Sequence, residues 1–126
     1  LEFRRVLFRS HLLVVALAEG RDDIASEVEG QMDPVRWKRD DLRVIGQAYG
    51  RALRPKDGLR YFDRLRQLEP HNADAHFYSG VLSIEMAQYA PAAAHFAEAV
   101  RLDSTRRDDV RRYLSGIRAR SGGEGP

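Results

Sequence analysis

Apolar residues recur three and four positions apart along most of the chain, the spacing that lines one face of an α-helix. Leu42, Ile45 and Tyr49 mark one such face; Val110, Leu114 and Ile117, with Tyr113 beside them, mark another. Capping and breaking residues cut this pattern into separate helices. Leu12 to Glu19 and Asp22 to Met32 read as two helices split at Gly20, with Gly30, Pro34 and Trp37 suited to a loose connection after them. Asp40 and Asp41 are expected to cap and charge a helix running to about Leu53; Arg54-Pro55 ends it. Asp57 is expected to cap a second helix that stops at Glu69-Pro70. After a turn at His71-Asn72 the next hairpin starts near Asn72, turns at Gln88-Tyr89, and restarts with Pro91 in a first turn, where its missing N–H costs nothing. It ends around Leu102-Asp103-Ser104, and a last helix covers about Arg107 to Arg118.

Shifting the chain against itself by 34 places superposes Gly46 on Gly80, Phe62 on Phe96, Leu68 on Leu102 and Glu69 on Asp103. Arg39-Asp40-Asp41 recurs two periods later as Arg107-Asp108-Asp109. Gapless agreement at this spacing is the signature of stacked helical hairpins, each needing a neighbour to bury its apolar face. The two shared glycines lie inside helices, where each costs about 1 kcal/mol relative to alanine, so close helix approach is the expected compensation. Small residues at Gly58 and Ala92, four before Phe62 and Phe96, let the second helix sit against the first while the ring fills the space beside it. Upstream only Ile24 and Val28 keep the register, with Gly58 and Phe62.

Taken together these residues resemble the tetratricopeptide repeat. One copy has Leu42, Ile45-Gly46 and Tyr49, then Gly58, Phe62, Leu65 and Pro70; the next has His76, Ser79-Gly80 and Ser83, then Ala92, Phe96 and Ala99, with Ser104 where proline is usual. The resemblance implies an all-α, right-handed stack of antiparallel helix hairpins, an α-solenoid closed by a C-terminal capping helix. Its expected parts are a degenerate or truncated hairpin over 11–38, repeats over 39–72 and 73–104, the cap over 105–120 and a disordered tail over 121–126. Residues 1–10 read as a non-native scar, a vector or adapter translation; the competing reading is a secretory signal using the apolar run Leu12 to Ala18.

In the helix from Ala73 the packing register assigns His76, Ser79, Gly80 and Ser83 to the partner helix, leaving Phe77, Val81 and Ile84 as a second apolar stripe. In the resembling family that face lines a concave groove for peptides or partner helices. By register the groove candidates are Arg43, Gln47 and Arg51, then Phe77, Tyr78, Val81, Ile84 and Glu85, then Arg111 and Arg112. Phe77, Tyr78 and Val81 would be apolar anchors, with Arg43, Arg51 and Arg112 reading charge. The alternative is that the Phe77 stripe packs on neighbouring helices.

Composition changes the picture in three ways. The absence of cysteine excludes disulfides, thiolate metal sites and thiol nucleophiles. No two of His11, His71, His76 and His95 have the spacing that aims two imidazoles at one metal, and the Asp-Asp pairs at 22–23, 40–41 and 108–109 stand at expected helix starts, so neither a metal site nor paired catalytic carboxylates are expected. The net charge of +2 resides wholly in residues 1–10; beyond them residues 11–35, 36–66, 67–100 and 101–120 carry −5, +6, −4 and +4. Alternation argues against a continuous basic stripe for nucleic acid, although Arg60, Arg64, Arg66 and the Arg106 to Arg120 group leave a local patch. The apolar run of seven is too short to span a bilayer.

The expected function is therefore a non-catalytic scaffold binding a protein or peptide partner, with no cofactor. The alternative is a regulatory or scaffolding fragment of a larger enzyme such as a repeat-containing transferase. Basic residues that are nearly all arginine suit a GC-rich bacterial gene; the cytoplasm is the expected compartment and the periplasm the alternative.

Overall fold

A computed structural model describes residues 2–31 and 37–124, with side chains over 9–31 and 37–117. Every element among the described residues is helical. Helices α1 (Glu2–Ala18), α2 (Asp22–Gly30), α3 (Arg39–Arg51) and α4 (Pro55–Leu68) form one compact unit; α5 (Ala73–Glu85), α6 (Tyr89–Leu102), a single 3₁₀ turn (Ser104–Arg106) and α7 (Arg107–Glu124) form a second. The connection proposed at Pro34 lies outside the described residues.

The 34-residue period reappears in the helix bounds. Helix α3 shifted by 34 gives the limits of α5, α4 gives those of α6, and α7 starts 34 after α5. Each hairpin is held by the same device. A Cβ placed on Gly46 would meet the Phe62 ring at 2.6 Å, and one on Gly80 would meet the Phe96 ring at 2.8 Å. Both rings are buried, so α3 against α4 and α5 against α6 approach to a distance only glycine permits. Ser79 and Ser83 are buried beside Gly80, and Ser83 donates from Oγ to the Ser79 carbonyl at 2.7 Å.

In the first unit Leu13, Leu42, Ile45, Tyr49, Tyr61, Phe62 and Leu65 are buried. In the second, Phe77, Ile84, Ala92, Phe96, Ala99 and Val110 form the core, with Tyr78, Val81, Val100 and Ile117 partly buried against it.

Several helix starts depart from expectation. The N-caps of α3 and α4 are Lys38 and Arg54, neither of which caps through its side chain; Asp40, Asp41 and Asp57 lie in the first turn. Their contribution is to the helix dipole and to ion pairs, since a carboxylate inside the first turn has passed the position from which it could cap. Asn72 does cap α5, accepting from the Ala75 N–H at 3.1 Å. Helix α7 continues to Glu124, across four residues of the expected disordered tail. With no proline between Arg107 and Glu124, extending an existing helix needs no new nucleus.

Candidate functional site

The 3₁₀ turn between α6 and α7 places the side chains of greatest interest. Asp103 caps it, accepting from the Thr105 N–H at 3.0 Å and the Thr105 hydroxyl at 2.6 Å. That turn sets Arg106 against α5, where it donates to Asp74 and lies 3.9 Å from the Asp109 carboxylate. The guanidinium carbon stands 4.8 Å from the centre of the Phe77 ring, within cation–π range. Phe77 is itself at the hub of an aromatic cluster, edge-on to Tyr78 at 5.4 Å and to Tyr113 at 5.7 Å, with Phe96 tilted at 5.7 Å.

Phe77, Tyr78, Arg106, Asp109, Arg112 and Tyr113 line a cleft of about 370 Å³. Its floor is the buried Phe77 ring; its walls are aromatic and its rim is charged. Arg112 donates to Asp109 at 2.6 Å yet keeps 78% of its side chain exposed, so it can pivot toward a ligand without leaving a buried charge behind.

The candidates therefore divide. Phe77, Tyr78 and Arg112 come together in the cleft. Phe77 is only 5% exposed and Ile84 is buried with it in the core, so these two belong to packing rather than to an open apolar stripe; Val81 is partly buried against the same core. Glu85 is exposed at the end of α5, and partial desolvation raises its carboxyl above the ordinary range. Arg111 is exposed and loosely paired with Asp108 at 3.9 Å. In the first unit Arg43 and Gln47 are half-buried on α3, and Arg51 is exposed at its end, on a second and larger cleft of about 560 Å³.

Arg106, Asp109 and Tyr113 line the Phe77 cleft although periodicity did not point to them. One sequence signal existed: Asp74 and Arg106 are 32 apart, as are Asp22 and Arg54, and each pair meets, the latter at 3.5 Å.

A polar cluster in the first unit also escaped the sequence reading. Glu29 on α2 accepts from the Tyr49 hydroxyl at 2.6 Å, the Tyr61 hydroxyl at 2.7 Å and Arg60 at 2.7 Å. Burial, then the bond to Glu29, pushes both phenols well above the ordinary tyrosine range. Three donors converge on one acceptor, so the cluster ties α2 to α3 and α4 and leaves little capacity for a ligand.

Among the described residues no group of three or more His, Cys, Asp or Glu side chains could hold a metal ion, and no helix is long and apolar enough to cross a membrane. Much of the basic surface is matched by acid: Arg60 pairs with Glu29 and Asp57, Arg66 with Asp63, Arg101 with Glu98 and Arg106 with Asp74. No family model matches the chain, and no curated protein matches it significantly.

Proposed function

We propose that this chain is a stack of helical hairpins of the tetratricopeptide kind, right-handed and α-solenoidal, that acts as a non-catalytic protein-binding module. Its second unit captures a peptide in the cleft between α5 and α7. The observation that carries this reading is the meeting of Tyr78, Tyr113 and the exposed Arg112 at the Phe77 ring. Aromatic walls with an arginine at the rim are the composition that concentrates binding energy at protein interfaces. The 34-residue recurrence of helix bounds and of the glycine–phenylalanine contacts supports the repeat architecture.

The test is selection of binders from a random peptide display library on the intact chain, followed by titration calorimetry of the enriched peptides. Tyr78→Ala and Arg112→Glu should each weaken binding by about tenfold or more, and Arg112→Glu, at a side chain 78% exposed, should do so while the thermal midpoint stays close to wild type. Enriched peptides that bind both variants as well as wild type would overturn the assignment. Phe77 is unsuitable for this test, because truncating a buried ring costs stability directly.

A further inference from the structure

In the first unit the C-terminal end of α3 carries a leucine that folding alone does not call for. Leu53 sits one residue past the C-cap of α3 with φ of +60°, in the left-handed region where glycine is favoured, and is 83% exposed. The turn is built by the Leu53 N–H donating to the Gly50 carbonyl and the Arg54 N–H to the Tyr49 carbonyl, at 3.1 and 2.9 Å. The same pair of bonds ends α1, with Gly20 at the left-handed position, and ends α5, with Ala87 there. Neither of those turns needs a large side chain. Leu53 thus combines an unfavourable backbone conformation with an apolar side chain left in water, and packs little of itself into its own unit.

Its surroundings supply a use. Leu53 forms one lip of the 560 Å³ cleft, whose apolar wall comes from Val14, Leu17 and Ala18 on α1 and from Ala48 and Ala52 at the end of α3. A Cβ on Gly20, which also lines the cleft, would meet nothing within 4 Å, so the space beside it is open. The charge on the rim is unequal. Arg54 is matched by Asp57 at 2.9 Å and Asp22 at 3.5 Å, whereas exposed Arg51 makes no ion pair with any described residue. An apolar hollow of this size with one unmatched arginine at its edge suits a bulky apolar side chain accompanied by a carboxylate.

We propose that this cleft is a second docking point, taking an acidic peptide segment of a partner protein. A leucine-sized side chain of the partner enters between Leu17 and Leu53, and a neighbouring aspartate or glutamate meets Arg51. This docking point stands independently of the cleft in the second unit, since it shares no residue with it.

The test is methyl-detected NMR on the full chain, titrated with three synthetic decapeptides: a Leu-Leu centre flanked by glutamates, the same centre flanked by lysines, and a Ser-Ser centre flanked by glutamates. The acidic leucine peptide should shift the methyls of Val14, Leu17 and Leu53 and bind about tenfold tighter than either of the others. Arg51→Glu should reverse the preference between acidic and basic peptides. Leu53→Ala should weaken binding about fivefold with the helical circular dichroism unchanged, as expected for an exposed side chain. Several results would overturn the proposal: no shift at these methyls, equal binding of the serine-centred peptide, or indifference to the Arg51 charge reversal. Methyl shifts that track protein concentration alone would assign the hollow to a second copy of the chain and equally overturn it. Shifts confined to residues around Tyr78 and Tyr113 would leave the peptide to the second unit, sparing that reading while refuting this one.

Discussion

Single residues decide how closely the helices approach. Gly46 and Gly80 occupy helix interiors, where alanine is intrinsically better by about 1 kcal/mol, so a substitution to alanine would stabilise if space allowed. Space does not allow it: the added carbon would sit 2.6 Å from the Phe62 ring or 2.8 Å from the Phe96 ring, and both rings are enclosed. Overpacking of this kind costs about 1–3 kcal/mol, enough to outweigh the propensity gain. Gly80→Ala should therefore lower the thermal midpoint, Gly80→Leu should lower it further, and Phe96→Leu combined with Gly80→Ala should cost less than the sum of the two single losses, because the smaller side chain relieves the clash. Gly30 is the control. A carbon there would meet nothing within 4 Å, so Gly30→Ala should leave the midpoint unchanged or raise it. Matched melts of these variants would refute the close-approach argument if Gly80→Ala behaved like Gly30→Ala.

At the scale of elements, the periodic part of the molecule was legible because it is written in residues with few alternative uses. A mid-helix glycine followed sixteen positions later by phenylalanine, twice, located both hairpins, and Pro55, Pro70 and Asn72 located their ends. What could not be read were contacts between helices without a repeating partner. Glu29 carries no periodic signature, yet it gathers Tyr49, Tyr61 and Arg60 from two other helices. The role of Phe77 was ambiguous for the opposite reason, since an apolar stripe has the same spacing whether it faces a groove or a neighbouring helix. Aspartates near helix starts fit both capping and first-turn positions, and only backbone geometry separates the two. The Glu29 junction yields its own prediction. Glu29→Ala removes one acceptor from three donors and strands two phenols that are largely out of water, so it should cost roughly 2–3 kcal/mol in a denaturant titration. Glu29→Gln, which keeps an acceptor oxygen but loses the charge, should recover part of it. A neutral Glu29→Ala would mean that water satisfies the tyrosines equally well.

Across the whole molecule, the charge blocks find partners inside each unit. The acidic block 11–35 meets the basic block 36–66 through Asp22–Arg54 and Glu29–Arg60, and the acidic block 67–100 meets the basic block 101–120 through Asp74–Arg106. Most of these pairs are exposed on at least one side, where each is worth about 1 kcal/mol or less, so they add little to the depth of stability. The composition makes alkaline pH a selective probe of one unit. The chain has no cysteine, only two lysines, and arginines that stay charged throughout, which leaves tyrosine as the main side chain ionising between neutrality and strong base. Tyr49 and Tyr61, both in the first unit, have their hydroxyls pushed up by burial and by donation to Glu29. A group whose proton is held more tightly in the folded state contributes its stability in full below the unfolded value and loses it as pH climbs beyond. Folding stability should thus stay level through neutral pH and fall above about pH 10, the first unit failing first because ionising either phenol would place a second negative charge against Glu29. Hydrogen exchange or chemical unfolding followed by probes in each unit would show the order. The Tyr49→Phe, Tyr61→Phe double variant should be less stable at neutral pH yet show a flatter alkaline decline in its first unit. Equal slopes for the variant and the wild type would place the alkaline sensitivity elsewhere.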